Sequence, residues 1–199
     1  MNDLRTDLLK AIAQQGRPSS DFDLNADATG SGIPLRDAAV LVPIVTEGRP
    51  APMLILTKRS SALKHHPGQI AFPGGKVDPG DADIVAAALR EGHEEIALDP
   101  GEVEVLGTLS PHETVTGFNV TPVVSLVSPA FRPKPEPSEV AEVFEVPLAH
   151  VLDTTNYLVE SRRWRGQRRY FFTVPWGPYY VWGATARMLR ALADRMNED

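Results

Sequence analysis

Leu89-Arg90-Glu91-Gly92-His93-Glu94-Glu95-Ile96 is the stretch that decides the fold, because it predicts a helix with an acidic face. On a helical wheel over residues 83–97, the core-facing side is Val85, Leu89, Gly92 and Ile96. The other side, which we expect to face solvent, carries Glu91, Glu94 and Glu95 beside the small Ala87 and Ala88. Like charges at this spacing cost about 0.2–0.5 kcal/mol per pair, and the carboxyl end of a helix disfavours anions. An all-carboxylate cluster that accepts these penalties predicts a site for Mg²⁺ or Mn²⁺ rather than zinc.

The alternative for such a helix is an acidic face that meets only solvent, and the residues upstream favour the metal site. Residues 70–76 predict a short apolar strand that runs into a glycine-rich turn at Gly74 and Gly75. Either Asp81 or Asp83 can then cap the helix. Backbone N–H groups of such a loop can meet phosphate oxygens while the helix holds the neutralising metal ion. The strand, glycine loop and acidic helix together predict phosphate-ester or anhydride chemistry.

This unit resembles the Nudix box, the signature of the Nudix hydrolase superfamily. Counted from Gly75, the residues that align with the polar positions of the box are Asp81, Arg90, Glu91, Glu94 and Glu95. The resemblance implies that the three glutamates bind Mg²⁺ or Mn²⁺, with Glu91 and Glu95 as the first choices. Arg90 lies four residues before Glu94, so it can pair with Glu94 and orient its carboxylate, with an ordinary surface ion pair as the alternative. In such enzymes a glutamate can also serve as general base, and which one does so varies across the superfamily.

The chain departs from the box at a few positions around this unit. Asp81 replaces a glutamate, and one extra residue separates it from Arg90. Gly92 stands at an aliphatic position, and Ala97 replaces the glycine that normally ends the helix. None of these differences touches the three glutamates or the arginine, so they bear on the loop geometry and on how the helix stops.

A second block is similar to the motif that precedes the box in coenzyme A pyrophosphatases. The matching positions are Leu56, Thr57, Arg59, Ser60, Gly68 and residues 72–75. Lys64 replaces an arginine of that motif, which keeps the charge and loses the planar fork. The resemblance extends from about residue 54 to residue 189, and it implies substrate contacts from Arg59, Lys64, Gly74 and Gly75. Coenzyme A carries a diphosphate and a 3′-phosphate, and Lys58 can supply a further positive group.

Two later segments offer further functional groups. Many enzymes of the superfamily draw an additional carboxylate from a later loop, and Glu139 and Glu142 are the choices here, with a solvated strand edge as the alternative. Residues 162–170 hold five of the chain's 20 basic residues and predict a hairpin that turns at Gly166-Gln167, with Trp164 and Tyr170 packing inward. This hairpin is either a solvated element, a 3′-phosphate site or an oligomer contact, so a homodimer stays open.

Composition bounds the class of protein. The 199 residues predict an N-terminal helix and linker over 1–34 and a single Nudix domain over 35–199. A net charge of −6 argues against nucleic acid as a partner, and the lack of cysteine excludes disulfides and thiolate sites. The polar N-terminus is unlike a signal peptide, and no apolar run is long enough to span a membrane. We therefore expect a cytoplasmic protein with no membrane partner.

The remaining periodicity predicts an α/β protein. Strand patterns lie at 38–46, 53–57, 103–109, 118–127, 140–146 and 168–174, with helices over 83–97 and 183–196. The proline-rich residues 131–137 predict a stiff spacer. Strands interleaved with two substantial helices fit the α/β/α sandwich with a mixed central sheet that the resemblance implies.

The sequence thus favours metal-dependent hydrolysis of the diphosphate bond of coenzyme A, and of acyl-CoA, to 3′,5′-ADP and 4′-phosphopantetheine forms. One alternative keeps the chemistry and changes the substrate to ADP-ribose or another nucleoside diphosphate derivative. A second alternative is a non-catalytic nucleotide-binding module on the same fold. The intact Glu91, Glu94 and Glu95 weigh against it, because a decayed enzyme is expected to lose them first.

Overall fold

A single mixed sheet forms the centre of the protein. The computed structural model describes residues 2–14, 16–25, 34–164 and 166–198, and within these ranges nine strands join in that sheet. They are β1 Ser19–Ser20, β2 Arg36–Val45, β3 Met53–Arg59, β4 Ile70–Ala71, β5 Gly74–Lys76, β6 Val103–Thr108, β7 His112–Glu113, β8 Phe118–Val127 and β9 Val140–Pro147. The order is β1-β7-β8-β2-β3-β4, with β5 on β2, β6 on β8 and β9 on β3. The β2–β8 and β1–β7 pairs are parallel and the others antiparallel.

Four α-helices and a separate hairpin complete the described fold. The helices are α1 Asn2–Ala13, α2 Ile84–Ile96, α3 Leu148–Leu152 and α4 Ala184–Met196. Strands β10 Leu158–Trp164 and β11 Gln167–Thr173 pair antiparallel and form a sheet of their own. Short 3₁₀ turns cover Pro100–Glu102 and Thr154–Asn156. No helix in the described ranges is long and apolar enough to cross a lipid bilayer.

Strand β2 shows why helices cover both faces of the central sheet. Its apolar run is buried along nearly its whole length, as expected when both faces of a strand are covered. Ala38, Val42 and Ile44 point to a core shared with α1, α3 and α4. Ala39 and Leu41 point to a second core, shared with α2. This two-sided packing confirms the α/β/α sandwich with a mixed sheet.

Helix α2 buries more of its circumference than the helical wheel predicts. Ala87 and Ala88 are fully buried and Glu95 is 2 % exposed, so the expectation that they lie on a solvent-facing side was wrong. The reason is that α2 packs against β2 on one side and against the glycine strand β5 on another. The helix begins at Asp83, whose carboxylate accepts a hydrogen bond from the Ala86 amide at 2.8 Å. It ends at Ala97, which adopts the left-handed conformation at φ 57° without being a glycine.

Residues 16–25, predicted as part of a linker, are packed against the domain. Strand β1 pairs with β7, and the Ser19 hydroxyl lies 2.9 Å from Nδ1 of the buried His112. Nε2 of that imidazole lies 3.1 Å from the Asp21 carboxylate. Asp23 in turn accepts a hydrogen bond from Arg187 of α4 at 2.8 Å. Residues 26–33 of the predicted linker lie outside the described part of the chain, and a domain boundary after residue 34 stays a prediction.

Two other sequence expectations need correction. The proline-rich segment is not a free spacer, because Phe131 is buried in the second core and the Lys134 amide caps the Ile96 carbonyl at 3.0 Å. Tyr170 does not pack inward, since it is 42 % exposed on the hairpin. The hairpin itself is present, with Trp164 paired to Gln167.

Candidate active site

Glu95 is the most deeply placed acidic group of the predicted site. Its Oε2 accepts a hydrogen bond from the Gly74 amide at 3.2 Å, and its Oε1 lies 3.9 Å from Nη1 of Arg59. Burial is the main cause that raises the pKa of Glu95 to about 8, and the Gly74 amide and Arg59 oppose it only in part. A buried carboxylate with so little compensation is a strong ligand for a cation.

Glu91 stands one turn before Glu95, against the same glycine strand. A Cβ added to Gly75 would lie 2.5 Å from Oε1 of Glu91, so a larger residue there would displace this carboxylate from its present position. Burial raises the pKa of Glu91, and a hydrogen bond from Arg90 lowers it in part. Gly74 and Gly75 thus hold the two carboxylates from one side, Gly74 by its N–H and Gly75 by its lack of a side chain.

Arg90 connects the loop before the helix to the acidic face. Its Nε and Nη2 donate to both oxygens of Asp81 at 2.9 and 3.0 Å, and Nη2 also donates to the Lys76 carbonyl at 3.0 Å. Its Nη1 donates to Glu91 at 2.9 Å and to Glu94 at 3.0 Å, which includes the pair with Glu94 that the sequence predicts. The Arg90 hydrogen bond lowers the pKa of Asp81. Asp81 therefore anchors the arginine in the loop, and Asp83 caps the helix.

Glu139 approaches the two buried glutamates from the proline-rich side. Its carbonyl accepts the Ser60 amide at 2.8 Å, and the preceding loop donates the Glu136 amide to the Glu95 carbonyl at 2.9 Å. The negative charge of Glu139 raises the pKa values of both Glu91 and Glu95, which places it in their electrostatic range. The proline-rich loop, which the sequence predicted only as a spacer, bonds to the end of α2 through the Lys134 and Glu136 amides and leads into Glu139.

Glu142 has a different environment, although it lies only three residues further along. Its carboxylate accepts a hydrogen bond from the Tyr179 hydroxyl at 2.5 Å, and the Tyr179 ring stacks on Phe144 with centroids 3.5 Å apart. Of the two carboxylates that the sequence offered, Glu139 is therefore the one whose charge acts on Glu91 and Glu95.

The basic residues of the block that resembles the coenzyme A pyrophosphatase motif lie on β3 and the loop after it. Arg59 is half-buried beside Glu95, whereas Lys58 and Lys64 are exposed. Backbone hydrogen bonds from the Gly68 amide to the Arg59 carbonyl at 3.1 Å and from the Arg59 amide to Gln69 at 3.0 Å close this loop. Lys64 is thus presented to solvent on a loop whose two ends meet at Arg59.

The carboxylates of Glu91 and Glu95 suit a hard divalent cation. Across the described residues, no three acidic or histidine side chains converge closely enough to coordinate one ion. Arg90 holds Glu94 toward itself, and Glu94 is 55 % exposed at its side chain. Glu91 and Glu95 face the glycine strand together, and their burial without full charge compensation fits a Mg²⁺ or Mn²⁺ ion. Ligation by all three glutamates stays a prediction.

Comparison with known proteins agrees with this geometry. The family model described as NUDIX domain matches residues 34–165. A Nudix hydrolase NudL of Enterobacter sp. (strain 638), uncharacterized by its own name, is 48 % identical over 158 residues, which cover 79 % of this chain and 81 % of the relative. The NudL protein of Cronobacter sakazakii is 45 % identical over 175 residues, covering 88 % and 90 %.

Solved structures show the same fold. A Nudix hydrolase from M. smegmatis, RenU, superposes with a TM-score of 0.50 at 25 % identity, over 61 % of this chain and 76 % of that one. The MutT protein of Methanosarcina mazei superposes with a TM-score of 0.51 at 22 % identity, over 84 % and 99 %. With the family match, the sequence relatives and the acidic helix behind its glycine strand all in agreement, this chain belongs to the Nudix hydrolases.

Proposed function

We propose that this Nudix hydrolase cleaves the diphosphate bond of coenzyme A, and of acyl-CoA, to 3′,5′-ADP and 4′-phosphopantetheine forms. The observation that carries the proposal is the position of Arg59. This arginine belongs to the motif that resembles coenzyme A pyrophosphatases, and its guanidinium lies 3.9 Å from the carboxylate of Glu95 in the Nudix helix. The substrate motif and the acidic helix therefore meet at one place, as expected if the motif binds the diphosphate that the helix helps to cleave.

The residues of the site have separable tasks in this reaction. Glu91 and Glu95 would hold Mg²⁺ or Mn²⁺, which when bound neutralises diphosphate oxygens and stabilises the attacking and leaving oxygens. Arg90 fixes the orientation of Glu91 and Glu94 through its anchor on Asp81. The Gly74 amide fixes Glu95.

Proton transfer and substrate charge need further groups. Glu139 is exposed, and its charge acts on Glu91 and Glu95. We therefore propose that Glu139 is the general base that accepts the proton of the attacking water. Arg59 would meet the diphosphate, and the exposed Lys64 would meet the more distant phosphate of the substrate. Phosphoryl chemistry depends mainly on positioning and charge neutralisation, which this set of groups provides.

The test is a product analysis of the purified protein. Coenzyme A, dephospho-coenzyme A, ADP-ribose and a deoxynucleoside triphosphate are each incubated with Mg²⁺ or Mn²⁺, and the products are identified by mass. Release of 3′,5′-ADP and phosphopantetheine at the highest kcat/KM supports the proposal. Cleavage of ADP-ribose without cleavage of coenzyme A would refute coenzyme A as the substrate and would support diphosphate hydrolysis as the reaction.

The non-catalytic module remains the second candidate, and the same experiment decides it. Glu139→Gln serves as the matched control, because it keeps the size of the side chain and removes its ability to accept a proton. Turnover in the wild type that falls in Glu139→Gln identifies an enzyme. Binding of coenzyme A without turnover under every metal condition would leave the module as the function.

A further inference from the structure

Within the described part of the chain, the hairpin leaves one long strand edge, that of β10, without a partner. Strand β10 pairs only with β11, and across the described residues no other backbone group bonds to its outer edge. Leu158 is 56 % exposed and Val159 is 54 % exposed at the start of this strand. A free edge with exposed aliphatic side chains is a ready template for pairing with another strand.

The contact of Asn25 with β11 reveals which backbone groups of β10 point outward. The Asn25 side chain accepts a hydrogen bond from the Tyr170 amide at 2.9 Å and donates one to the Tyr170 carbonyl at 3.0 Å. Both backbone groups of Tyr170 therefore point away from β10, which makes Tyr170 and its partner Ser161 a non-hydrogen-bonded pair. The N–H and C=O of Ser161 must then point to the free edge, as do those of Val159 and Arg163 by alternation.

We propose that β10 pairs antiparallel with β10 of a second copy of this chain, across a twofold axis at Ser161. Ser161 is the middle residue of Leu158–Trp164, so this register pairs the strand along its whole length. Each Ser161 exchanges both backbone hydrogen bonds with its counterpart, and Val159 and Arg163 of the two copies do the same. The two hairpins then form one four-stranded sheet, and the interface is isologous as a twofold dimer requires.

Charge selects this register among those that the edge allows. With the axis at Ser161, Glu160 of each copy stands opposite Arg162 of the other, in a non-hydrogen-bonded pair where side chains are closest. An axis at Glu160 would oppose two glutamates, and an axis at Arg162 or Arg163 would oppose two arginines. Like charges directly opposite destabilise a strand pair, so the complementary register is the favoured one. Of the two arginines on this strand, Arg162 thereby gains Glu160 of the other copy as its partner, and Arg163 stands opposite Val159.

A single cysteine tests the axis directly, because the chain has no cysteine of its own. Ser161→Cys places its two thiols across the axis, where a hydrogen-bonded pair has Cα atoms about 5.5 Å apart, a separation that a disulfide spans. We expect mild oxidation to convert this variant to a covalent dimer. The matched control is Gln167→Cys on β11, which should stay monomeric under the same oxidation. Equal crosslinking of the two variants would overturn the proposal.

Backbone and charge variants test the register in the absence of a crosslink. Ser161→Pro removes an amide that the hairpin itself does not use, whereas Ser161→Ala keeps it. In sedimentation equilibrium we expect Ser161→Pro to raise the dimer Kd at least tenfold and Ser161→Ala to leave it unchanged, with thermal unfolding as the check on the fold. Glu160→Arg and Arg162→Glu should each weaken the dimer, and the double exchange should restore it. A wild type that stays monomeric at every concentration, or a dimer that Ser161→Pro does not weaken, would refute the pairing.

Discussion

Replacing Glu95 by glutamine should stabilise the metal-free protein while abolishing its activity. Glu95 is 2 % exposed, and burial raises its pKa to about 8 from the ordinary 4.5. A carboxyl group with a raised pKa in the folded state contributes stability that is fully present below the unfolded pKa. That stability is lost as the pH rises through the folded pKa. Metal-free protein should therefore weaken between about pH 4.5 and pH 8, and glutamine, which carries no charge, should not share this loss.

The size of the effect follows from the same two pKa values. At pH 7, the carboxyl group of Glu95 ionises in the unfolded chain and stays mainly protonated in the fold, which lowers the free energy of unfolding by about 3 kcal/mol relative to a neutral side chain; at pH 4.5 this loss is below about 0.5 kcal/mol. The glutamine oxygen can still accept the Gly74 amide, so the variant keeps that contact. Its NH₂ group lies near Arg59, which reduces the gain. We expect a net stabilisation of about 2–3 kcal/mol at pH 7.

Urea unfolding with EDTA at pH 5 and pH 7 measures this difference, and Glu94→Gln is the matched control. Glu94 is 55 % exposed at its side chain, so its substitution should change the free energy of unfolding by less than about 0.5 kcal/mol. Added Mg²⁺ should then stabilise the wild type and leave Glu95→Gln unaffected. If Glu95→Gln is less stable than the wild type at pH 7 in EDTA, then the Gly74 amide and Arg59 compensate the Glu95 carboxylate. That result would refute the destabilising effect of its burial.

Three further substitutions probe the glycine strand, the substrate arginine and the helix end. Gly75→Ala should lower kcat by about 10²-fold with the fold retained, because its Cβ would displace the Glu91 carboxylate; an unchanged kcat would mean that this carboxylate has room to move. Arg59→Ala should raise KM equally for coenzyme A and for dephospho-coenzyme A, since its guanidinium lies beside Glu95, where the proposed function puts the diphosphate; a larger effect on coenzyme A would assign Arg59 to the 3′-phosphate. Ala97→Gly should stabilise the protein by about 1 kcal/mol in thermal unfolding, since it relieves a left-handed alanine, whereas Ala86→Gly within the helix should destabilise it by a similar amount.

Much of the fold was open to prediction because its signals are local. The continuous apolar run of β2, the glycine loop and the cap at Asp83 each follow from a few adjacent residues. The pairing of Arg90 with Glu94 likewise follows from helical spacing. Where neighbouring residues alone determine a contact, sequence and structure agree.

The burial of Glu95 could not be read from the sequence, because it depends on partners far along the chain. A helical wheel assumes that one side of a helix is covered, whereas β5 and the proline-rich loop cover additional sides of α2. Glu139 and Glu142 differ for the same reason: Tyr179, distant in sequence, hydrogen-bonds to Glu142, and nothing local to these residues marks the difference. The proximity of Arg59 to Glu95 could be expected only from the resemblance to a known family, because the spacing of the two residues in the sequence does not predict that they meet.

The packing of residues 16–25 has a consequence for synthesis of the protein on the ribosome. Arg187 of α4 donates to Asp23, and the guanidinium of Arg195 packs against Gly16, so an early segment is held by a late helix. Because contacts of such long sequence separation form only after the intervening chain exists, the core shared by α1 and α4 can close only once α4 has emerged. The core beneath α2 uses residues up to Val143 and can be assembled before α4 exists. Helix α2 would then pack against the central sheet before α4 has been synthesised, and residues 16–25 would pack only after α4 has emerged.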